Sequence, residues 1–423
     1  MNMLERLVAQ NPWWEGKGVE AVAGMEKRDA FSLILKHMGA KQIISVTGLR
    51  RVGKTVLARQ LIESLLGSGV DAKRILYFSF DELLAKDPAI IEEVLETYSS
   101  LILRGELRGV NVFFDEINHI PDWQVVLKRF YDLEKDIKFL VTGSSGVRIR
   151  KSAESLAGRI FGFELKPLNF REHLRLRKVS ISGNLDVHAL TLQNELVRFL
   201  TTGGFPELVQ ESGFEKAKLY VGSIVDKIIL SDIPKAGDVG NPEILREVFR
   251  MIAMSPGSLV EYKNLASSLK VSYQTISKYV HFLETAHIVR ILLNKRGSAV
   301  AMSRKAKKIY LAATSLALFS VESEPQILSL LPALAENAVA LHLDARYFWK
   351  EYYELDFLTG QGAVEVKFAE RPDAGRNITA AAKRGDKRLV IVTRNTEKKE
   401  RRERMEVAYV PLWKFLLSKP APS

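Results

Sequence analysis

Short apolar runs alternate with stretches of helical period through the first third of the chain. Ile43, Ile44 and Val46 form the first run, and Val56, Leu57, Leu61 and Ile62 follow at helical spacing. Between them lies GLRRVGKT, so residues 42–63 read as strand, glycine loop and helix. Residues 74–80 (RILYFSF) predict a second strand ending at Asp81 and Glu82, with helix through about residue 104. Val110, Val112, Phe113 and Phe114 predict a buried strand ending in Asp115-Glu116. A helix over 122–135 turns Trp123, Val126, Leu127 and Phe130 inward, and a strand over 138–142 runs into Gly143-Ser144-Ser145. A short helix, a strand over 160–165 and a further helix follow, and another helix is expected earlier, at about 19–38. Trp13 and Trp14 precede that first helix and are expected to pack against the domain rather than near a bound base.

Later segments change character. Residues 192–233 carry amphipathic helical spacing (Leu196, Phe199, Leu200, then Ile224, Ile228, Ile229) and read as a small helical lid. KAGDVGNP (235–242) is a glycine-proline linker. Helices are expected over 244–254 and 259–270, and a third begins after the cap Ser272 with Ile276, Val280 and Leu283 inward. IVRILLN, KRG and SAVAMS then read as strand, basic turn and strand, which makes a winged helix-turn-helix. From about 325 the pattern is a helix carrying Glu336, a strand RYFWKE, a strand ELDFL, the turn TGQG, a strand AVEVKF, a helix near 376–384 and a strand over 388–393. The charge run EKKERRER (397–404) reads as a solvated helix face or loop. The expected divisions are 1–175, 176–238, 239–322 and 323–423.

Composition narrows the classes. The 423 residues exceed one ordinary core, and 47% apolar with 26% charged residues is a globular balance. No cysteine is present, which excludes disulfides, zinc-thiolate sites and thiol nucleophiles. The formal net charge of +12 suits a polyanionic partner. The first residues have no continuous apolar h-region and no stretch has transmembrane length, so a cytoplasmic protein without membrane association is expected.

The chemistry starts at the glycine loop. Gly48, Gly53, Lys54 and Thr55 fit G-x-x-x-x-G-K-[ST]. Glycines let backbone N–H groups turn inward around phosphate oxygens, and the helix N-terminus adds partial positive charge. Lys54 would reach the β- and γ-phosphates, Thr55 would ligate Mg²⁺, and Arg50, Arg51, Val52 and Val56 complete the expected nucleotide cradle. Asp115 would hold Mg²⁺ through water, and Glu116 would polarise the attacking water. Ser144 is the candidate sensor of the γ-phosphate, with Ser145 close behind. Arg159 is a candidate arginine finger or sensor, within its own subunit or across the interface of a homo-oligomer, with a plain salt bridge as the alternative. No guanine-selecting N-K-x-D stands in the expected place, which favours ATP.

Two further constellations stand apart. On the third helix of the winged segment, Tyr273, Gln274, Ser277 and Lys278 point away from the core, where they would meet DNA, and Lys295 and Arg296 of the wing would touch the backbone. Lys305, Lys307 and Lys308 extend that basic track. Asp356, Glu365 and Lys367 fall on neighbouring strands, with Glu336 approaching from the helix. That is the D…E-x-K layout of PD-(D/E)xK nucleases, in which Glu336, Asp356 and Glu365 would hold Mg²⁺ or Mn²⁺ and Lys367 would orient the attacking water or stabilise the pentavalent state.

GLRRVGKT, FFDE, TGSS, LAGRIFGFELKPLNFREHL and TGGFPEL together resemble the archaeal and bacterial ATP-binding family of the AAA+ class, from about residue 11 to the C-terminus. The resemblance implies an α/β P-loop NTPase core of the AAA+ type, a parallel five-stranded sheet with the P-loop strand central, a helical lid, and a restriction-endonuclease-like αβ domain after the winged helix. The Arg50-Arg51 pair is common in that family's loop, and the GGFPE segment (Gly203 to Glu207) is a landmark that reads locally as a tight turn. The expectation is an Mg²⁺-dependent ATPase that binds DNA and controls a C-terminal nuclease. The alternative is a nucleotide switch or scaffold with a silent nuclease fold that acts through protein partners.

Overall fold

A computed structural model of the chain describes residues 2–81, 87–133, 136–144, 156–211, 213–298, 302, 306–402 and 404–419. Glu82, Ser145 and Lys305 lie outside the described residues. The chain divides into two compact units, 1–166 and 167–423.

The first unit is an α/β domain. Its strands are β1 (Ile43–Thr47), β2 (Ile75–Ser79), β3 (Val110–Asp115), β4 (Ile137–Gly143) and β5 (Ile160–Glu164). They form one sheet in the order β2-β3-β4-β1-β5, with every pairing parallel. Strands β1 to β4 are buried almost throughout, as near-continuous apolar runs require when helices cover both faces. The P-loop strand β1 is not central. It lies between β4 and the edge strand β5, because the crossover out of β1 skips two places before the chain returns. Helices α1 (Met3–Gln10), α2 (Asp29–His37), α3 (Lys54–Gly67), α4 (Ala89–Thr97) and α5 (Trp123–Leu133) complete the unit. The single helix expected over 19–38 is instead a 3-10 turn at Glu20–Val22 followed by α2. Trp13 is buried and Trp14 packs half-buried against the core. Both indole N–H groups donate to the Ile75 carbonyl, at 3.1 and 2.9 Å, and Trp14 stacks on Tyr98.

The second unit begins with α6 (Phe170–Leu176), α7 (Ala189–Thr202) and α8 (Phe214–Lys227). The GGFPE turn is an anchored packing element. Phe205 is fully buried, the Gly203 carbonyl accepts from Ser315, and a Cβ on Gly204 (φ +109°) would lie 2.5 Å from that of Ala313. Next come α9 (Pro242–Met254), β6 (Leu259–Val260), α10 (Tyr262–Leu269) and α11 (Tyr273–Thr285). The helix expected over 259–270 therefore loses its start to a two-residue strand. Ser272 accepts from Thr275 N–H at 3.0 Å and caps α11 as expected.

Strand β7 (Val289–Asn294) pairs antiparallel with β8 (Lys307–Leu311), which lies beyond the expected 298–303. Residues 299–301 and 303 of that expected strand lie outside the described residues. Strands β9 (Tyr347–Lys350) and β10 (Glu354–Leu355) extend the same sheet in the order β10-β9-β7-β8-β6. A third sheet runs β11-β12-β13-β15-β14, from β11 (Phe357–Thr359), β12 (Gly362–Lys367), β13 (Arg388–Thr393), β14 (Lys398–Arg402) and β15 (Met405–Pro411). Strands β12, β13 and β15 are parallel, and the two outer strands are antiparallel. Helices α12 (Leu331–His342), α13 (Gly375–Arg384) and α14 (Leu412–Leu417) belong with this part. The EKKERRER run is mostly strand β14 rather than helix or loop: charged side chains all along an edge strand keep it hydrated while its backbone pairs with β15. Among the described residues no helix is long and apolar enough to cross a membrane.

Candidate functional site

The C-terminal end of the first sheet gathers the residues expected at the phosphates. Strand β1 ends at Thr47, the loop turns through Gly48 (φ +150°) and Gly53 (φ +97°), and Lys54 opens the fourteen-residue α3. A Cβ on Gly48 would stand 2.3 Å from the Leu165 carbonyl oxygen, so only glycine lets the loop pass β5 this closely. Lys54 is buried and its ammonium donates to the carbonyls of Gly48 (3.2 Å) and Leu49 (3.1 Å). Arg51 takes a left-handed conformation (φ 68°), and Val52 is buried beneath the loop. Arg28 pins the loop by donating to the Val52 carbonyl at 2.7 Å while its other nitrogen donates to Lys166. Sequence reading missed Arg28, because nothing local marks an arginine that reaches 24 residues ahead.

Strand β3 delivers two carboxylates with different surroundings. Asp115 accepts from the Thr55 hydroxyl at 2.7 Å, from Tyr77 at 2.9 Å and from Thr142. Thr55 and Asp115, the oxygen pair expected at Mg²⁺, are thus brought together, and hard oxygen donors suit that ion. Glu116 turns out of the strand at φ 52°. Its Oε2 accepts from both the backbone N–H (3.1 Å) and the hydroxyl (2.9 Å) of Ser144, and its Oε1 lies 3.7 Å from Lys54. Burial alone would raise the Glu116 carboxyl, but Lys54, the Ser144 donors and Arg50 hold it below the usual range. Burial lowers the Lys54 ammonium, against the opposing pull of Glu116 and Asp115. Ser144 therefore aims the glutamate. Tyr77 and Thr142, unmarked in the sequence, complete the carboxylate shell; Tyr77 lies midway along β2 and Thr142 near the end of β4, the two strands that flank β3, a placement that only the strand order reveals.

Arg159 is not brought to this site within its own chain. It stands just before β5, its carbonyl accepts from Ile43 N–H at the start of β1, and its guanidinium pairs with Asp132 at 2.9 Å. Because β1 and β5 are parallel, it lies at the far end of the sheet from the P-loop, about 13 Å of strand away.

On α11, Tyr273, Gln274 and Lys278 are exposed and Ser277 is half-buried, while Ile276, Val280 and Leu283 face the core. Lys278 pairs with Asp238 at 2.9 Å, Lys295 lies over the Tyr347 ring, and Arg296 pairs with Glu351.

The acidic residues of the C-terminal part do converge, but around a lysine. Lys308 of β8 is 3% exposed, and its ammonium lies 2.9 Å from Glu336 Oε1, 2.7 Å from Glu354 Oε1 and 2.8 Å from Asp356 Oδ1. This corrects its expected place on an exposed basic track. Lys307 lies over the Tyr262 ring instead. Asp356 Oδ2 accepts from Val366 N–H at 3.0 Å, and Glu365 Oε2 accepts from Asp356 N–H at 3.1 Å. Lys367 pairs with Glu365 at 2.8 Å. Burial and the neighbouring Asp356 push Glu365 up to about 8 and Glu336 up to about 7. Of the three carboxylates expected at a metal, Glu336 and Asp356 meet at Lys308, while Glu365 is paired with Lys367. Among the described residues, no group of three or more His, Cys, Asp or Glu side chains is arranged to hold a metal ion.

Comparison with known proteins agrees with the first unit's geometry. Residues 40–174 match the family model described as AAA domain, and residues 193–325 match the one described as Domain of unknown function (DUF8612). Two similar proteins come from Methanocaldococcus jannaschii: MJ1637, 28% identical over 64% of this chain and 60% of its own length, and MJ1544, 24% identical over 88% of both. A Haemophilus influenzae protein is 28% identical over 57% of this chain and 60% of its own. The chain thus spans about three fifths of the length of MJ1637 and of the Haemophilus protein. Among solved structures, the Walker-type ATPase paby2304 of Pyrococcus abyssi aligns over 69% of this chain and 95% of its own, with 16% identity and a TM-score of 0.44.

Proposed function

We propose that this chain binds and hydrolyses ATP with Mg²⁺ and uses the nucleotide state as a switch on DNA. The observation that carries the reading is Glu116, held by Ser144 beside Lys54 and one residue after an Asp115 that is bonded to Thr55. The loop N–H groups and the start of α3 receive the phosphates. Thr55 and Asp115 would hold Mg²⁺, which screens the charge of the phosphate oxygens. Lys54 bonds the β- and γ-phosphates. Glu116 is ionised at neutral pH because Lys54 and Ser144 favour its charged form, so it can orient a water in line with the γ-phosphate and take up its proton.

DNA is the proposed partner, through the exposed face of α11 as the recognition helix of a winged helix-turn-helix. A helix that buries Ile276, Val280 and Leu283 presents Tyr273, Gln274 and Lys278 together, at a length that fits a major groove. Lys278 and Arg296 would exchange their carboxylate neighbours for phosphates. The reading assigns no cleavage to the acidic cluster.

The test is phosphate release from ATP by the full chain with and without duplex DNA, alongside a fluorescent-nucleotide titration. Wild type should bind and turn over ATP only with Mg²⁺, and Lys54→Ala should lose both. A Lys54→Ala chain that hydrolyses ATP as fast as wild type sinks the reading.

A further inference from the structure

The cluster around Lys308 is a built site, and its geometry is unusual for the fold expected there. Its members come from several elements: Lys308 and Tyr310 from β8, Glu336 from α12, Glu354 from β10, Asp356 from the junction before β11, and Glu365 and Lys367 from β12. An ammonium group has three N–H donors. Lys308 has three carboxylate oxygens within 2.9 Å, one from each of three residues, so its donor capacity is filled. Tyr310, two residues on along the same face of β8, donates to Glu336 at 2.7 Å. Gly257 closes that side with a left-handed backbone (φ +83°), where a Cβ would come within 2.7 Å of the Tyr310 ring and 3.2 Å of Glu336 Oε1. The remaining oxygen of Asp356 is taken by the Val366 N–H.

Charge explains why a cation stands at this point. Isolated buried carboxylates are strongly penalised unless a counter-charge is supplied. A metal-dependent nuclease supplies it with a divalent ion. Here Lys308 supplies it, with Lys350 at 3.0 Å from the outer oxygen of Glu354 and Lys367 on Glu365.

We propose that Lys308 is the resident cation of this cluster. Its ammonium stands where the divalent ion of a D…E-x-K site would stand, and it locks β8 to the strands and helix that carry the carboxylates. The cluster is thus a structural joint without metal-dependent cleavage. The inference is independent of the ATPase reading.

The test is Mn²⁺ binding by electron paramagnetic resonance on the full chain, nucleotide-free, in an Asp115→Asn background that removes the phosphate-site carboxylate. With Lys308 present, no Mn²⁺ site sensitive to Asp356→Asn is expected, and the melting temperature should be the same in Mn²⁺ and in chelator. Lys308→Met should gain one Mn²⁺ site, at least about tenfold tighter than any in its parent, and adding Asp356→Asn should abolish it. A chain with Lys308 intact that binds Mn²⁺ through Asp356 overturns the proposal. So does a folded Lys308→Met chain that takes up no Mn²⁺. If Lys308→Met does not fold, the chain with Lys308 decides: its indifference to Mn²⁺ and to Asp356→Asn sustains the proposal, and a response that Asp356→Asn removes refutes it.

Discussion

Glu116 illustrates how one residue position can be set by three elements at once. Its left-handed backbone turns the side chain off the end of β3, Lys54 draws it toward the loop, and Ser144 at the end of β4 fixes one oxygen. Replacing it with glutamine keeps size and hydrogen-bonding atoms but removes the base. Glu116→Gln should leave the nucleotide Kd within about threefold of wild type and lower kcat at least about 100-fold, the usual share of a general base. Paired titration and steady-state measurements check this, and a large loss of affinity with kcat unchanged would place Glu116 in binding instead. His173 makes a second residue-scale prediction. Burial lowers its imidazole to about 4, although Glu195 favours the charged form. The unfolded imidazole takes a proton near its ordinary 6.5 while the folded one stays neutral, so this histidine withdraws stability as pH falls from about 6.5 to about 4. Buried Glu336 and Glu365, with raised carboxyls, work the other way over part of that window. The diagnostic is therefore the difference between wild type and His173→Asn, whose stability gap in denaturant titrations should change by about 2 kcal/mol between pH 7 and pH 4.

Individual elements show where sequence reading succeeds. GLRRVGKT and FFDE were legible because each keeps its chemistry within one strand end and one turn, so spacing along the chain is spacing in space. The apolar face of α11, repeating at helical spacing, was legible for the same reason. Strand order was not: β1 sits beside β5, and this puts Arg159 at the wrong end of the sheet for its expected role in its own chain. Lys308 was misread because a lysine in a basic run looks solvated. Its partners Glu336, Glu354 and Asp356 lie 28, 46 and 48 positions away, a distance only the fold closes. Strand β14 failed for a related reason, since charge on both faces of an edge strand hides its period of two. Close packing also yields a prediction. Gly48→Ala places a methyl 2.3 Å from the Leu165 carbonyl oxygen at φ +150°, so it should cost at least about 2 kcal/mol or prevent folding, read by thermal melting. For α11, Gln274→Ala with Lys278→Ala should weaken duplex binding and flatten the salt dependence by about one unit of slope for the lost phosphate contact. Unchanged affinity and slope would remove this helix from any DNA interface.

At the scale of the whole molecule, a P-loop α/β unit and a larger second unit share one chain with a net charge of +12. The first unit carries the P-loop and its two carboxylates, and the second carries a helix with an exposed polar face and an acidic cluster gathered around a lysine. That division favours a nucleotide-driven switch over a machine with two catalytic centres, and it rests on the first unit turning over ATP. The most direct measurement is steady-state phosphate release from Mg²⁺-ATP by the full chain and by Glu116→Gln, with binding followed in parallel. A nucleotide-driven switch requires turnover in wild type and, in the variant, nucleotide binding with almost no turnover. Equal turnover in the two chains, or none in a wild type that binds Mg²⁺-ATP, would contradict it.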